Sequence, residues 1–166
     1  MRAWGLRLFL AAAIAAAGFW AWTLLFPGPE QVIRKELTQL AATASITPNE
    51  APLAKLAKAQ RLASFFSEDA EVRVDIPNRP YQDFNGREEI QQAALGARAL
   101  LNVLKIQFLD MEVRLAPDKQ SAVVRLTATA DLPGEKVPEV QELEFQLKKI
   151  DRDWLIRRVE TVKTLR

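Results

Sequence analysis

The first hydrophobic feature of the chain is an uninterrupted apolar run near its start. Leu8 to Phe26 contains 19 residues without a charged side chain, close to the roughly 20 that cross the core of a bilayer as an α-helix. Arg2 and Arg7 are the only charges at the leading end, and the positive-inside rule therefore places the N-terminus in the cytoplasm. The pattern predicts a single-pass membrane protein whose remaining chain lies on the periplasmic or extracytoplasmic side.

A cleaved signal peptide is the alternative interpretation of this run. Ala15, Ala16 and Ala17 offer a small-residue cleavage site after a short apolar stretch. Cleavage there would leave the apolar segment Phe19–Phe26 on the mature N-terminus, which favours an uncleaved anchor. Two prolines then stop the helix. We expect an anchor over 1–26, a linker over 27–29 and a single domain over 30–166.

Amphipathic segments with helical spacing follow the linker. Apolar positions predict a helix from Glu30 to Ala44. A second helix, capped by Asn49, is expected to run to about Phe66. Its buried residues would be Leu53, Leu56, Ala63 and Phe66. A third helix opens at Asn85-Gly86-Arg87-Glu88, where Asn85 and Glu88 have the spacing of a capping box.

Alternating polar and apolar residues predict the strands. The first is a short strand over Glu71–Ile76, which ends at Asn78-Arg79-Pro80. Four longer strands close the chain, namely Lys105–Leu115, Ser121–Leu132, Glu139–Ile150 and Trp154–Leu165. Because short turns connect these four, we expect an antiparallel meander. Helices followed by a curled sheet indicate an α+β fold with the helices on one face.

Composition narrows the chemistry that this domain can perform. The chain contains no histidine and no cysteine, which excludes imidazole catalysis, thiol catalysis and the usual zinc sites. Two of the 23 basic residues and none of the 21 acidic ones lie in residues 1–26, so the rest of the chain has 21 of each and a net charge of zero. A neutral domain does not favour nucleic acid as a partner. We expect no cofactor and no metal.

Three segments carry a resemblance to a known superfamily. They are Leu62–Val72, the run Phe84-Asn85-Gly86-Arg87-Glu88-Glu89-Ile90, and Phe145–Leu147 with Asp151-Arg152-Asp153-Trp154. In this order, they resemble the nuclear transport factor 2-like superfamily, which includes SnoaL-like and ketosteroid isomerase-like proteins. The resemblance implies a cone-shaped fold in which a strongly bent antiparallel sheet wraps around about three helices and leaves a pocket. It does not imply a reaction, because the fold hosts enzymes and binding modules alike.

Two polar residues are candidates for catalysis if the pocket is an active site. Enzymes of the superfamily often pair an aspartate with a tyrosine, and Tyr81 is the only tyrosine. Asp110 interrupts the apolar positions of its strand, so it would serve as the base and Tyr81 as the proton donor to an oxyanion. A β-bulge would instead turn Asp110 outward, and Tyr81 would then be a surface loop residue. The pocket-lining candidates are Phe65, Phe66, Val74, Tyr81, Phe108, Asp110 and Trp154. Of these, Phe65, Phe66, Phe108 and Trp154 are core residues if they do not line a pocket.

The third long strand has one polar face that offers a second type of site. Glu142, Glu144, Gln146 and Lys148 alternate along it, and Arg125, Arg158 and Glu160 on neighbouring strands are placed for cross-strand ion pairs. This face is either a surface for a protein partner or a homodimer, or simply the solvated side of the sheet. Our first hypothesis is a membrane-tethered extracytoplasmic binding or assembly module that acts either through its pocket, on a small apolar ligand, or through its sheet face. The alternative is an isomerase- or cyclase-like enzyme acting on a small apolar substrate.

Overall fold

A computed structural model describes residues 28–75, 81–134 and 137–162 of the chain. Within these ranges no helix is both long enough and apolar enough to cross a bilayer. The predicted anchor over residues 1–26, the break at Asn78-Arg79-Pro80 and the end of the last predicted strand lie outside the described residues. The anchor therefore stays a prediction.

Three helices and six strands form an α+β domain. The helices are α1 (Pro29–Ala44), α2 (Pro52–Ser64) and α3 (Arg87–Leu100). The strands are β1 (Phe66–Val74), β2 (Gln82–Asn85), β3 (Lys105–Leu115), β4 (Ser121–Asp131), β5 (Glu139–Ile150) and β6 (Asp153–Thr161). The predicted α+β class is confirmed, and the three helices and four long strands lie close to their expected bounds.

One six-stranded sheet has the order β2-β1-β6-β5-β4-β3. β3 to β6 form the expected antiparallel meander. The prediction of a wholly antiparallel sheet is wrong at one place, because β1 pairs with β6 in parallel, for example Val72 with Val159. Two parallel strands need a long crossover, and here the crossover comprises α3 and the meander itself. The four-residue strand β2, which pairs with β1, is too short for a clear alternation and was not predicted.

The buried face of α2 differs from the one that its sequence pattern predicts. Leu53 is 80% exposed and Leu56 is 40% exposed, whereas Ala59 and Ala63 are buried. The prediction that these leucines belong to the core is therefore wrong. Alanines on the buried side allow α2 to approach α3 closely, which leaves the larger side chains on the outer side.

The predicted helix caps are also corrected. Residue Ala51, not Asn49, precedes the first residue of α2, and Asn49 has a left-handed backbone with φ 58°. At α3 the N-cap residue is Gly86, not Asn85, and the Asn85 N–H donates to Glu89 Oε2 at 2.7 Å instead of to Glu88. Both helices therefore begin within two residues of the expected position, and neither N-cap residue makes a side-chain hydrogen bond to its helix.

A β-bulge in β3 decides which of its side chains face the helices. Asp110 has φ 50°, and the β3–β4 register shifts between Leu109 and Glu112. The half-buried positions are even-numbered before the bulge, as at Phe108, and odd-numbered after it, as at Met111. The bulge thus keeps apolar residues on the inner face of a curved strand.

The core lies between this inner face and the helices. Its buried members include residues from α1, α3 and the strands: Ile33, Leu37, Leu40, Phe65, Phe66, Ala70, Ile90, Ala122, Val124, Leu126, Leu143, Phe145, Leu147, Trp154, Ile156 and Val159. Phe108 packs edge-on against Phe145, with ring centroids 5.5 Å apart. One end of the same layer is less completely filled, and the candidate site lies there.

Candidate functional site

An apolar cavity of about 260 Å³ lies between α1 and the inner face of the sheet. We call it the sheet lobe. Helices contribute Leu40, Ala44 and Leu62 to its wall, and the strands contribute Phe66, Val72, Val74, Ile106, Phe108, Ala128, Thr129, Ala130, Glu139, Gln141, Leu143, Phe145 and Val159. Most of these side chains are hydrocarbon, as in sites that bind apolar molecules.

A second cavity of about 330 Å³ lies beneath α3, and we call it the helix lobe. Its wall includes three alanines of α3, namely Ala93, Ala94 and Ala97. Five residues line both lobes: Ala44, Leu62, Phe66, Val72 and Ile106. The lobes therefore adjoin, and together we call them the inner cavity. Its size is in the range of small-molecule sites, roughly 300–1,000 Å³.

The sequence explains why space remains at this end of the sheet. The inner positions of β4 become smaller along the strand, from Val124 and Leu126 to Ala128 and Ala130. Ala128 stands opposite Phe108 on β3 and Gln141 on β5. Alanine at these positions does not fill the space that leucine or valine fills in the middle of the sheet, so a cavity remains.

Some of the seven predicted pocket residues line the inner cavity and the others do not. Phe66, Val74 and Phe108 line the sheet lobe. Phe65 and Trp154 are buried in the core, at 8% and 5% exposure, and do not line either lobe.

The two candidate catalytic residues, Asp110 and Tyr81, do not line the inner cavity either. Asp110 is exposed at the bulge and belongs to a surface depression with Glu112, Arg125 and Glu142. Tyr81 is 57% exposed. Their placement matches the interpretation in which a bulge turns Asp110 outward and Tyr81 is a surface residue.

A buried arginine, which the sequence analysis did not identify, closes one side of the helix lobe. Arg98 is 1% exposed, and its Nη1 lies 2.9 Å from Glu50 Oε2. Its guanidinium also donates to the carbonyl oxygens of Thr43 and Ser45 at the end of α1. A sequence signal exists, because residues 90, 94 and 98 form one row along α3 and the first two are apolar. An arginine in such a row indicates a buried, paired charge.

The partner carboxylate is strongly stabilised in its ionised form. Burial on its own raises the pKa of Glu50, but hydrogen bonds from Lys58 and Thr47 and the charge of Arg98 outweigh burial, and the pKa falls to about 2. Lys58 Nζ lies 2.6 Å from Glu50 Oε1. This cluster joins the α1–α2 connection to α3 and so fixes one wall of the helix lobe.

A second arginine holds Phe66, which lines both lobes. Arg87 Nε and Nη2 both donate to the carbonyl oxygen of Phe66, at 2.9 and 2.7 Å. The preceding residue, Gly86, has φ 88°, and a Cβ there would lie 3.3 Å from the Glu68 carbonyl oxygen. Glycine is therefore favoured for both its backbone angle and the close approach. The sequence analysis interpreted this segment as the start of a helix and as part of the superfamily resemblance, and it did not predict the contact of Arg87 with Phe66.

The outer face of the sheet carries the expected ion pairs in part. Arg125 Nε lies 2.9 Å from Glu144 Oε2, as predicted. Arg158 was expected to pair with β5 but pairs with Glu71 on β1 at 2.8 Å. This is possible because β6 lies between β1 and β5 and has a neighbouring strand on each side. These side chains are partly exposed, and such pairs contribute little to stability.

Comparison with known proteins gives the fold but no closer relationship. No protein-family model matches the chain, and no curated protein matches its sequence. A domain of unknown function with a cystatin-like fold from Nostoc punctiforme is similar, with a TM-score of 0.62, 18% identity and coverage of 85% of this chain and 80% of that one.

Two structures from Novosphingobium aromaticivorans are also similar. A candidate scytalone dehydratase has a TM-score of 0.59 and 17% identity over 82% of this chain and 84% of its own. A nuclear transport factor 2-like protein with a cystatin-like fold has a TM-score of 0.57 and 19% identity over 77% and 79%. The TM-scores establish the cystatin-like, nuclear transport factor 2-like fold, in agreement with the resemblance in the sequence, and identities this low do not transfer an activity.

Proposed function

We propose that this protein is a binding module that holds a small apolar molecule in its inner cavity and is tethered to a membrane by residues 1–26. The observation that supports binding is the pair of adjoining lobes, whose walls are mainly hydrocarbon. Transfer of an apolar molecule from water into such a space is favourable by about 25 cal/mol per Å² of buried surface. The tether is supported by the apolar run Leu8–Phe26.

The placement of the ionisable side chains favours binding over a reaction. A general acid or base must reach the proton that it transfers within hydrogen-bond distance. Among the described residues, the ionisable side chains that line the inner cavity are Glu139 and Arg98. Arg98 is engaged by Glu50 and by backbone carbonyls. The isomerase- or cyclase-like alternative assigned its chemistry to Asp110 and Tyr81, and neither lines the cavity.

Photolabelling of the full chain tests the proposal. The protein is reconstituted in lipid nanodiscs and exposed to an alkyl alcohol that carries a diazirine, and the labelled peptides are identified by mass spectrometry. We expect labels on residues of the sheet lobe, such as Phe108 and Phe145. A probe that is only dissolved in the lipid would label the lipid-facing part of the chain and not these residues. No labelling of cavity residues would contradict the proposal.

Substitution inside the lobe provides the matched control. Ala128→Phe places a ring in the sheet lobe, whereas Thr127→Phe adds a ring of the same size on the next residue of β4, which belongs to a surface depression. We expect the cavity labelling to fall at least about tenfold in the first variant and to stay unchanged in the second. Equal labelling of both variants would place the bound probe elsewhere.

A further inference from the structure

One end of the helix layer, which is formed by α1, α2 and α3, exposes leucine side chains. Leu53, three residues after Glu50, is 80% exposed, and Leu100, two residues after Arg98, is 86% exposed. The 2.9 Å contact between Glu50 and Arg98 places both leucines at this end. Leu56, the next leucine of α2, is 40% exposed. We call these three leucines the leucine patch. Neighbouring exposed leucines, unlike single ones, are typical of a site that binds a protein or a membrane.

The helix that carries most of this patch is basic. α2 contains Lys55, Lys58 and Arg61 and no acidic residue, whereas residues 27–166 have 21 charges of each sign. Lys58 shares the Glu50 carboxylate with Arg98, so this cluster has a net charge of +1. Within the part of the chain that the structure describes, no carboxylate forms an ion pair with Lys55 or Arg61. The exposed leucines therefore belong to a positively charged surface.

The charge of this surface decides which type of partner fits it. A second copy of the chain that docked through the same patch would bring two basic helices together, and like charges repel at close range. Nucleic acid would attract the basic side chains but offers no favourable contact to the leucines. The surface of an anionic bilayer suits both, because leucines enter the interface while lysine and arginine stay among the head groups.

The proposed tether brings the helix layer close to such a surface. α1 begins at Pro29, so two residues separate it from the apolar run that ends at Phe26. α1 lies beside α2, where Arg61 Nη2 is 3.5 Å from Gln39 Oε1. A domain that rests on its helix layer therefore presents α2 to the membrane that holds the anchor. Because Leu62 of α2 lines both lobes, the docked helix is also part of the wall of the inner cavity.

We propose that the leucine patch and the basic side chains of α2 form a docking surface for an anionic bilayer, which holds the domain on its helix layer. This inference goes beyond the binding of a ligand and rests on the tether of the proposed function. In the docked state α2 is an interfacial helix. Its leucines contact the hydrocarbon boundary, and its lysine and arginine side chains attract anionic head groups.

Spin labels on single cysteines test this surface in the full chain. The chain has no cysteine, so Leu53→Cys and Glu112→Cys each provide one attachment site, the second on the outer face of the sheet. Both positions are exposed in the domain, at 80% and 66%. In nanodiscs of phosphatidylcholine and phosphatidylglycerol, collisions of the nitroxide with an aqueous nickel complex measure its contact with water. We expect the Leu53 label to collide at most about one third as often as the Glu112 label.

The outcomes of this experiment separate the docking from the tether. A chain that does not co-elute with the nanodisc contradicts the tether and, with it, this inference. A chain that co-elutes but carries a Leu53 label as accessible as the Glu112 label retains the tether and overturns the docking. The Leu53 label should also become accessible in nanodiscs of phosphatidylcholine alone, a comparison that needs no further substitution.

Charge variants test whether anionic lipid is the partner. Lys55→Gln combined with Arg61→Gln removes two charges from α2, and the collision frequency of the Leu53 label should rise at least about twofold. Arg114→Gln combined with Lys119→Gln removes the same charge at exposed positions outside the helix layer, and the Leu53 label should stay protected. Protection that survives both the loss of the α2 charges and the removal of phosphatidylglycerol would overturn the assignment to an anionic bilayer.

Discussion

The carboxylate of Glu50 and the guanidinium of Arg98 form an ion pair of 2.9 Å inside the helix layer, 48 residues apart in the sequence. Their side chains are only 3% and 1% exposed. Two charges removed from water in this way are stabilised only while they remain paired. The pair therefore determines how the α1–α2 connection sits against α3, and with it one wall of the helix lobe.

Glu50→Gln should destabilise the domain because it leaves the Arg98 guanidinium buried without its counter-ion. We expect a loss of about 3 kcal/mol in the free energy of unfolding at neutral pH. Urea denaturation followed by circular dichroism measures it. Glu112→Gln is the control, because Glu112 is 66% exposed and its ion-pair partner among the described residues is the exposed Arg114, and its loss should stay below about 1 kcal/mol. A similar small loss for both variants would show that the buried pair is not a stabilising contact.

The same pair gives a pH dependence of defined sign. The pKa of Glu50 is lowered from 4.5 to about 2 in the folded protein. A lowered carboxyl pKa contributes stability that is complete above the unfolded value and is lost as the pH falls toward the folded value. The difference in unfolding free energy between the unmodified chain and Glu50→Gln should therefore be constant from pH 7 to pH 5 and shrink between pH 4.5 and pH 2. A difference that grows on acidification would contradict this assignment.

The bulge at Asp110 predicts the effect of two substitutions. Asp110 has φ 50° and is exposed, so its backbone conformation, not its carboxylate, is what the fold requires there. Asp110→Gly should leave stability within about 0.5 kcal/mol or raise it slightly. Asp110→Val should cost about 2 kcal/mol, since a β-branched residue disfavours positive φ. Thermal denaturation compares the two, and equal stability of both variants would mean that the bulge is not needed.

The contact of Arg87 with Phe66, which lines both lobes, leads to a further prediction about stability. Its two bonds to the Phe66 carbonyl oxygen join the start of α3 to the start of β1. Arg87→Met keeps an unbranched, flexible side chain but removes both donors, and we expect a loss of about 2 kcal/mol in unfolding free energy. Arg87→Lys retains one donor and should lose about half as much. Arg114→Met is the control, because Arg114 is 70% exposed. An equally small effect at both arginines would contradict the role of Arg87.

Much of this fold is predictable because the local periodicity of apolar residues indicates most of its helices and strands. α1 and β3 to β6 have clear helical or alternating patterns, and the structure places them within a few residues of the expected bounds. The parallel pairing of Val72 with Val159 has no local signal, since the two residues are far apart in the chain. Leu53 and Leu56 fit an apolar helical pattern but are exposed. The close contact of α2 with α3 depends on alanines, whereas hydrophobic periodicity favours the larger leucines as the buried residues.

The candidate site was predictable only in part, for two physical reasons. A single residue inserted at the bulge changes which side chains face inward, so Asp110 could not be placed on one face from alternation alone. A cavity forms where side chains leave space unfilled. In the sequence, such a place is marked only by alanines such as Ala128 at positions where larger residues would fill the core. Phe66 and Phe108 were predicted as wall residues because they are large apolar side chains, Phe66 at the end of the second predicted helix and Phe108 on a predicted strand, but the same property applies to Phe65 and Trp154, which are core.

The predicted membrane anchor over residues 1–26 determines whether the inner cavity is held at a membrane. Ile14→Arg places a charge near the middle of the apolar run, where it opposes insertion by about 3 kcal/mol. We expect the unmodified chain to resist alkaline extraction from membranes at its full length, and the variant to be extracted. Leu53→Arg is the control, because this residue is 80% exposed in the domain, and it should stay in the membrane fraction. A mature protein that lacks residues 1–17 would instead support cleavage after Ala17, and the cavity would then belong to a protein released from the membrane.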